Sequence, residues 1–251
     1  MTGRTHLYKR QESKHIIILF GIWLLATIGR LCYDAMTLML RLDLMGCAAF
    51  NAGRSPQGAT MSYFRPVALE HASRLLNHGP TVLITSRDEQ IDRRNIMAAA
   101  WSMPVEFSPP RIAIVIDKSA WSRELIERSG MFGIVVPGVA AKNWTYAVGS
   151  VTGRDEDKFN CYGIPVISGP VLGLPVVEER CLAWMECRLL PATAAQEKYD
   201  TLFGEVVAAA ADERAFFNGR WQFDDGQLNT LHHLGGGTFV TSGKQMSVND
   251  K

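Results

Sequence analysis

The chain has 251 residues, 47% of them hydrophobic and 20% charged, enough to bury a substantial core as one large or two small domains. A formal net charge of +1, with no basic run or Arg-rich stripe, excludes a global electrostatic pull toward nucleic acid or an anionic membrane. Five cysteines without a C-x-x-C pair, and six histidines without H-E-x-x-H or a helical pair, indicate neither a disulfide framework nor a metal site, and a reducing cytoplasm fits them best.

Residues 1–60 differ in character from the rest of the chain. Lys9, Arg10, Lys14 and His15 precede an apolar run over 16–29, which is closed by Arg30 and followed by Asp34, Arg41 and Asp43. The run is shorter than the ~20 residues a membrane-crossing helix needs. A membrane-associated helix, a partly ordered appendage and residues upstream of the real start all remain open. The loop-like stretch 51–58 followed by Met61-Ser62-Tyr63-Phe64 favours an extension over 1–60 ahead of a domain over 61–251.

Val67 to Leu76 has helical spacing and is ended by Asn77-His78-Gly79-Pro80. Thr81 to Ser86 is a β-rich run, and a polar loop, Arg87 to Arg94, makes it a hairpin with the strand that starts at Asn95. From Asn95 to Ser122 the spacing predicts two strands, separated by Ser108-Pro109-Pro110, and a turn that opens a helix. That helix runs from Trp121 to Ser129 with Leu125 and Ile126 inward, and Gly130 stops it. Met131 to Val136 is an apolar strand. Val139 to Thr152 is a helix carrying Trp144 and Val148, and Gly153 to Phe159 is a charged turn into a short helix. Gly163 to Pro175 is too rich in Pro and Gly for regular structure. Strands Cys181 to Leu190 and Thr201 to Ala210 pair antiparallel. Gly219 to Gly226 is a loop, and Leu228 to Leu231 leads into the glycine-rich stretch Leu234 to Val240. About six strands and three or four short helices, without strict strand–helix alternation, predict a mainly antiparallel β-barrel with flanking helices. Gly235-Gly236-Gly237 lacks the G-x-G-x-x-G spacing of a dinucleotide fingerprint.

One stretch carries chemistry. Ala98 to Ala100 leave the strand backbone bare enough for a planar ring, and Trp101 and Pro104 offer rigid walls beside it. Ser119 and Ser122 stand at a helix start, where free N–H groups and the dipole favour an anion. A ring at one end and a phosphate at the other fits FMN. The same residues also describe ordinary half-buried strands and an N-capped helix.

Seven motifs in order give the chain a resemblance. They are N-I-M-A-A-A-W-S-M-P from Asn95, S-P-P from Ser108, K-S-A-W-S-R-E-L-I-E-R-S-G from Lys118, G-R-D-E-D-K-F from Gly153, M-E-C-R from Met185, G-E-V-V from Gly204 and H-L-G-G-G-T-F from His233. The chain resembles the flavin reductase-like family, and within it the flavoredoxin-like branch, over residues 64–244.

The resemblance implies an FMN-binding split β-barrel of six strands, a homodimer, and FMN near the dimer interface. It places Asn95, Ala99, Trp101 and Ser102 along the isoalloxazine and ribityl chain, and Ser119, Trp121 and Ser122 at the phosphate. Lys158 would add charge near that phosphate, and His233 would approach the flavin or close the pocket. Two departures stand out: Ala120-Trp121-Ser122 in the phosphate turn, and Phe239, without a hydroxyl, where Tyr is common. The implied activity is an NAD(P)H-dependent flavin reductase with NADH or NADPH as donor and free flavin or a protein as acceptor. Hydride transfer takes place on the flavin, so no catalytic side chain is required. A flavoredoxin-type electron carrier and a flavin-binding module without turnover are the alternatives.

Overall fold

The computed structural model describes residues 62–223 and 226–248. The expected extension over 1–60, with its apolar run 16–29, lies outside the described residues. Among those described, no helix is long and apolar enough to cross a membrane.

The chain enters through β1 (Phe64–Pro66), a short α1 (Leu69–Ala72) and a 3-10 turn (Ser73–Leu75). The helix expected over Val67–Leu76 is thus shorter and partly 3-10, and it buries Ala72, Leu75 and Leu76 while Ala68 stays exposed. β2 (Val82–Asp88) and β3 (Arg93–Ala99) form the expected hairpin. Its loop is tighter than the polar stretch indicated, because Arg87 pairs with Arg94 and Asp88 with Arg93. Asp88 accepts from the Gln90 N–H at 2.9 Å to cap the turn.

The stretch after Asn95 makes three strands rather than two: β3, β4 (Ser102–Phe107) and β5 (Pro110–Val115). The main sheet explains the break. Its strand order is β3-β2-β6-β9-β10-β5-β4, where β6 is Met131–Pro137, β9 Cys181–Leu189 and β10 Thr201–Asp212, with β1 added on β10. Every pairing in it is antiparallel. β3 and β4 lie at opposite ends of that order. At about 3.8 Å per Cα step, however, Ala99 and Ser102 stand no more than about 11 Å apart. The sheet must therefore curl until its edges meet without a ladder between them, which is a barrel with a split. The break at residues 100–101 and the addition of β1 raise the expected six strands to eight.

α2 (Trp121–Ser129) forms over the predicted residues, and Gly130 ends it at φ 70° with its N–H on Ile126 O. α3 (Lys142–Ser150) follows a 3-10 turn, and α4 (Lys158–Cys161) is capped by the Asp157 carboxylate. The 163–175 segment holds only the two-residue β7 (Ile167–Ser168), paired with β8 (Pro175–Val176). After β9 come α5 (Thr193–Lys198), β10 and a small β11–β12 hairpin (Phe216–Phe217, Arg220–Trp221) in part of what was expected to be loop. The glycine-rich stretch is a hairpin that periodicity did not reveal, β13 (Leu231–Gly235) with β14 (Thr238–Thr241).

Strand alternation sorts the core into two faces. Val82 and Ile84, Ile134 and Val136, and Ala183 and Met185 point into the barrel beside Ile112, Ile114 and Phe132. Leu83, Val135 and Trp184 point outward and are covered by Trp144 and Val148 of α3 and Phe159 of α4. Gly204 of β10 is where Phe132 crosses, and a Cβ there would strike the ring.

Candidate functional site

The edge strand β3 positions the site. Period-two alternation puts Arg93, Asn95, Met97 and Ala99 on one face, and the first turn of α2 packs over it. Asn95 Nδ2 donates to Ser122 Oγ at 2.9 Å, and both residues are buried. Gly153 closes over this pair so tightly that a Cβ would collide with the Asn95 carboxamide. Asn95 Oδ1 is left buried without a partner.

Arg93 stands beside them. Its Nη2 donates to the carbonyls of Gly153 at 3.0 Å and Arg154 at 2.7 Å. Among the described residues no carboxylate lies within ion-pair distance of it. Its guanidinium carbon lies 5.9 Å from the Trp121 ring centroid, and that of Arg154 lies 4.7 Å from the same ring. Arg154 also reaches Glu124 at 3.1 Å. The Trp121 Nε1 is buried without a partner, and the α2 N-cap, Ala120, supplies no side-chain acceptor to the first turn. An uncompensated guanidinium, a second arginine and an uncapped helix start around one indole form a cradle for an anion.

Ala99, Trp101 and Ser102 sit where the chain crosses the split. Ala99 is buried, Trp101 is 73% exposed, and the Ser102 hydroxyl is buried without a partner. Asn95, Trp121 and Ser122 are thus brought together, and Ala99, Trp101 and Ser102 continue from the far end of the same strand.

The other three expected residues have partners of their own. Ser119 is exposed, and its N–H and hydroxyl both donate to Asp117 Oδ1, at 2.7 and 2.6 Å. Those bonds hold the Asp117 carboxyl below its usual range. Lys158, expected as a charge beside a phosphate, is instead buried, with Nζ donating to Ile96 O at 3.0 Å and Val148 O at 2.7 Å. Burial lowers its pKa to about 8 despite the opposing effect of Glu156. It ties β3 to α3 on the outer face. His233 lies in the β13–β14 hairpin, with Nε2 2.9 Å from Gly236 O and its ring 5.3 Å from Phe239.

Arg93 and Arg154 were missed in the sequence. Two signals were available: Arg93 stands two positions before Asn95, on the same strand face, and Arg154 lies inside the G-R-D-E-D-K-F motif.

Residues 73–232 match the family described as flavin reductase like domain. The uncharacterized protein YddH of Escherichia coli is 80% identical over 188 residues, which span 75% of this chain and 100% of that protein. Among solved structures, an FMN-binding domain of a flavin reductases-like enzyme from Shewanella baltica superposes with a TM-score of 0.72 at 38% identity, over 76% of this chain and 100% of that one. Flavoredoxin of Desulfovibrio vulgaris shares the fold, with a TM-score of 0.59 at 22% identity over 78% of this chain and 96% of its own.

Proposed function

This chain belongs to the flavin reductase like domain family and has its split-barrel fold, and on that footing we propose that it is an FMN-binding flavoprotein acting as an NAD(P)H-dependent flavin reductase. The observation that carries the reading is Arg93, a guanidinium with no carboxylate partner among the described residues, placed beside the uncapped start of α2 and the Trp121 ring.

The residues present fit the cofactor. Three of the buried polar atoms without partners, Asn95 Oδ1, Ser102 Oγ and Trp121 Nε1, belong to residues of β3, β4 and the α2 start. Buried groups of this kind normally find partners, and a ligand with a polar edge and an anionic end supplies them. Arg93, Arg154 and Trp121 would hold the phosphate, with Ser122 orienting Asn95. Asn95, Ala99, Trp101 and Ser102 would line the ring and ribityl chain. Lys158 acts one step back, fixing the β3 backbone through Ile96 O. Ser119 keeps Asp117 and His233 keeps its hairpin carbonyl, so neither enters this assignment.

The bound flavin would supply the chemistry, hydride acceptance from a nicotinamide and delivery of electrons to an acceptor. The chain's part is to bind, orient and shield, so no side-chain acid or base is needed. Fixed N–H donors along β3 and β4 would stabilise negative charge on the reduced ring.

We also propose that the working unit is a homodimer. Trp101, Met103, Val105 and Phe107 lie along and beside the edge strand β4, which bulges between Pro104 and Glu106, and all four are exposed, from 44% to 73%. Exposed apolar side chains gathered on a free sheet edge form a surface that proteins cover. A second copy seated there would also cover the Trp101 end of the site.

The visible spectrum of the purified protein, before and after anaerobic NADH or NADPH, tests the function. A yellow protein that bleaches within seconds is expected. Retained FMN that neither nicotinamide reduces would replace the reductase with a binding module, and slow reduction of tightly held FMN would mark an electron carrier.

A further inference from the structure

The helices cover the outer face of the barrel only in part. Trp144 and Val148 of α3 and Phe159 of α4 pack over Leu83, Val135 and Trp184. Where β10 bulges between Val206 and Ala208 and β1 joins its far end, a groove of about 330 Å³ is left open. Phe64, Pro66, Leu69, Pro170, Trp184 and Ala208 are among its walls, and every residue that lines it is apolar except Glu178. None of them belongs to the anion cradle or to the β4 edge.

Glu178 is held in one pose by neutral donors. The Ser62 hydroxyl accepts the Phe64 N–H at 3.1 Å and donates to Glu178 Oε2 at 2.7 Å, and the Trp184 indole donates to Oε1 at 3.3 Å. Each carboxylate oxygen can accept a further hydrogen bond. Among the described residues no cation lies within ion-pair distance of this carboxylate, and the two arginines beside its contacts are engaged elsewhere. Arg65 pairs with Glu213 at 3.0 Å and donates to the carbonyls of Ser62 and Phe64. Arg180 pairs with Glu179 at 3.4 Å and lies over the Trp144 ring. A half-buried carboxylate thus stands among apolar walls with no counterion among the described residues.

That combination selects by charge and by shape. The carboxylate repels an anion and gives a neutral ligand no ion pair, whereas a cation with N–H donors can bond both of its oxygens. The apolar walls, two of them aromatic, suit a flat hydrocarbon body. Ligand sites span about 300–1,000 Å³, so this groove stands at the small end and suits one ring or two fused rings. We propose that the groove binds a small arylalkylammonium cation, with its ring against the apolar walls and its ammonium on Glu178. The site is independent of the flavin assignment, because the two share no residue.

Calorimetric titration of the full chain with tryptamine and with tryptophol, which carries a hydroxyl in place of the ammonium on the same indole, tests this. Tryptamine is expected to bind about tenfold tighter or more. Glu178→Gln keeps the shape and an acceptor for Ser62, and should bring tryptamine down to the tryptophol level. Leu69→Lys, at a rim position 41% exposed, puts a competing ammonium at the mouth and should weaken tryptamine by about tenfold. Both variants should retain the near-ultraviolet circular dichroism of the wild type, and if Glu178→Gln does not, Leu69→Lys decides. Equal affinity for the two indoles, or tryptamine binding indifferent to either folded variant, overturns the proposal and leaves an apolar surface without charge recognition. Failure of tryptamine to bind at millimolar concentration also overturns it. A dimer that Leu69→Lys then turns into a monomer would assign the groove to a second copy instead.

Discussion

The Asn95 carboxamide donates through Nδ2 to the Ser122 hydroxyl across 2.9 Å, joining β3 to the first turn of α2 inside the protein. This bond sets the distance between the strand that would hold the flavin ring and the helix start that would hold its phosphate. Ser122→Ala should leave a buried amide short of a partner, at a cost of about 1–3 kcal/mol in urea unfolding. FMN affinity should fall with it. Unchanged affinity would mean that Asn95 needs no orientation.

Arg93→Ala should separate phosphate recognition from ring recognition. Loss of a charge-assisted contact should weaken FMN by about tenfold or more, while riboflavin, which has no phosphate, should bind as before. Fluorescence titration with the two flavins decides it. An equal loss for both would move the phosphate elsewhere.

Val105→Glu places a charge among the exposed apolar residues of β4. A wild type that sediments as a dimer and a variant that sediments as a monomer are expected. A monomeric wild type would remove the role proposed for that edge.

Glu186 of β9 is fully buried and accepts backbone N–H groups from Val171 at 2.8 Å, Leu172 at 2.9 Å and Leu174 at 3.2 Å. It pins the segment between β7 and β8, with Gly169 pressed against its carboxylate. Glu186→Gln turns one acceptor into a donor facing N–H groups and should cost about 2–3 kcal/mol. Faster proteolytic cleavage within 166–175 should accompany the loss.

Lys158 has a pKa of about 8 in the folded chain against 10.5 as its ordinary value, because burial disfavours its charge. The unfolded chain therefore holds more protons between pH 8 and 10.5, and this group's contribution to stability rises with pH across that window. Below pH 8 the cost of the buried charge is fully present. Urea midpoints of the wild type and Lys158→Met, compared from about pH 7 to about pH 10, should shift in favour of the wild type as pH rises. A constant difference would show that Lys158 is equally protonated in the folded and unfolded chains, so that burial does not lower its pKa.

Much of this protein was legible in the sequence. The α2 helix, its Gly130 stop, the inward Leu125 and Ile126, and the antiparallel β9–β10 pair follow from periodicity and end signals, which are properties of residues within a few positions of one another. The ordered motifs likewise identified the family and the split barrel. The β13–β14 hairpin escaped because its strands are short and largely exposed, so burial imprints little alternation on them.

What only the tertiary structure decided depends on distance in space. The meeting of the β3 and β4 edges follows from a sheet order that no local pattern encodes. Lys158 looks like a solvated charge in an acidic turn, yet it is buried because α4 carries it onto carbonyls of β3 and α3, 62 and 10 residues away. Arg93 is ordinary as a residue beside Asp92, and becomes the proposed anion site because folding brings it the carbonyls of residues 153 and 154 and the Trp121 ring and, among the described residues, no carboxylate partner. Composition determines how many charges a chain carries, and the fold determines which of them are left without a counterion.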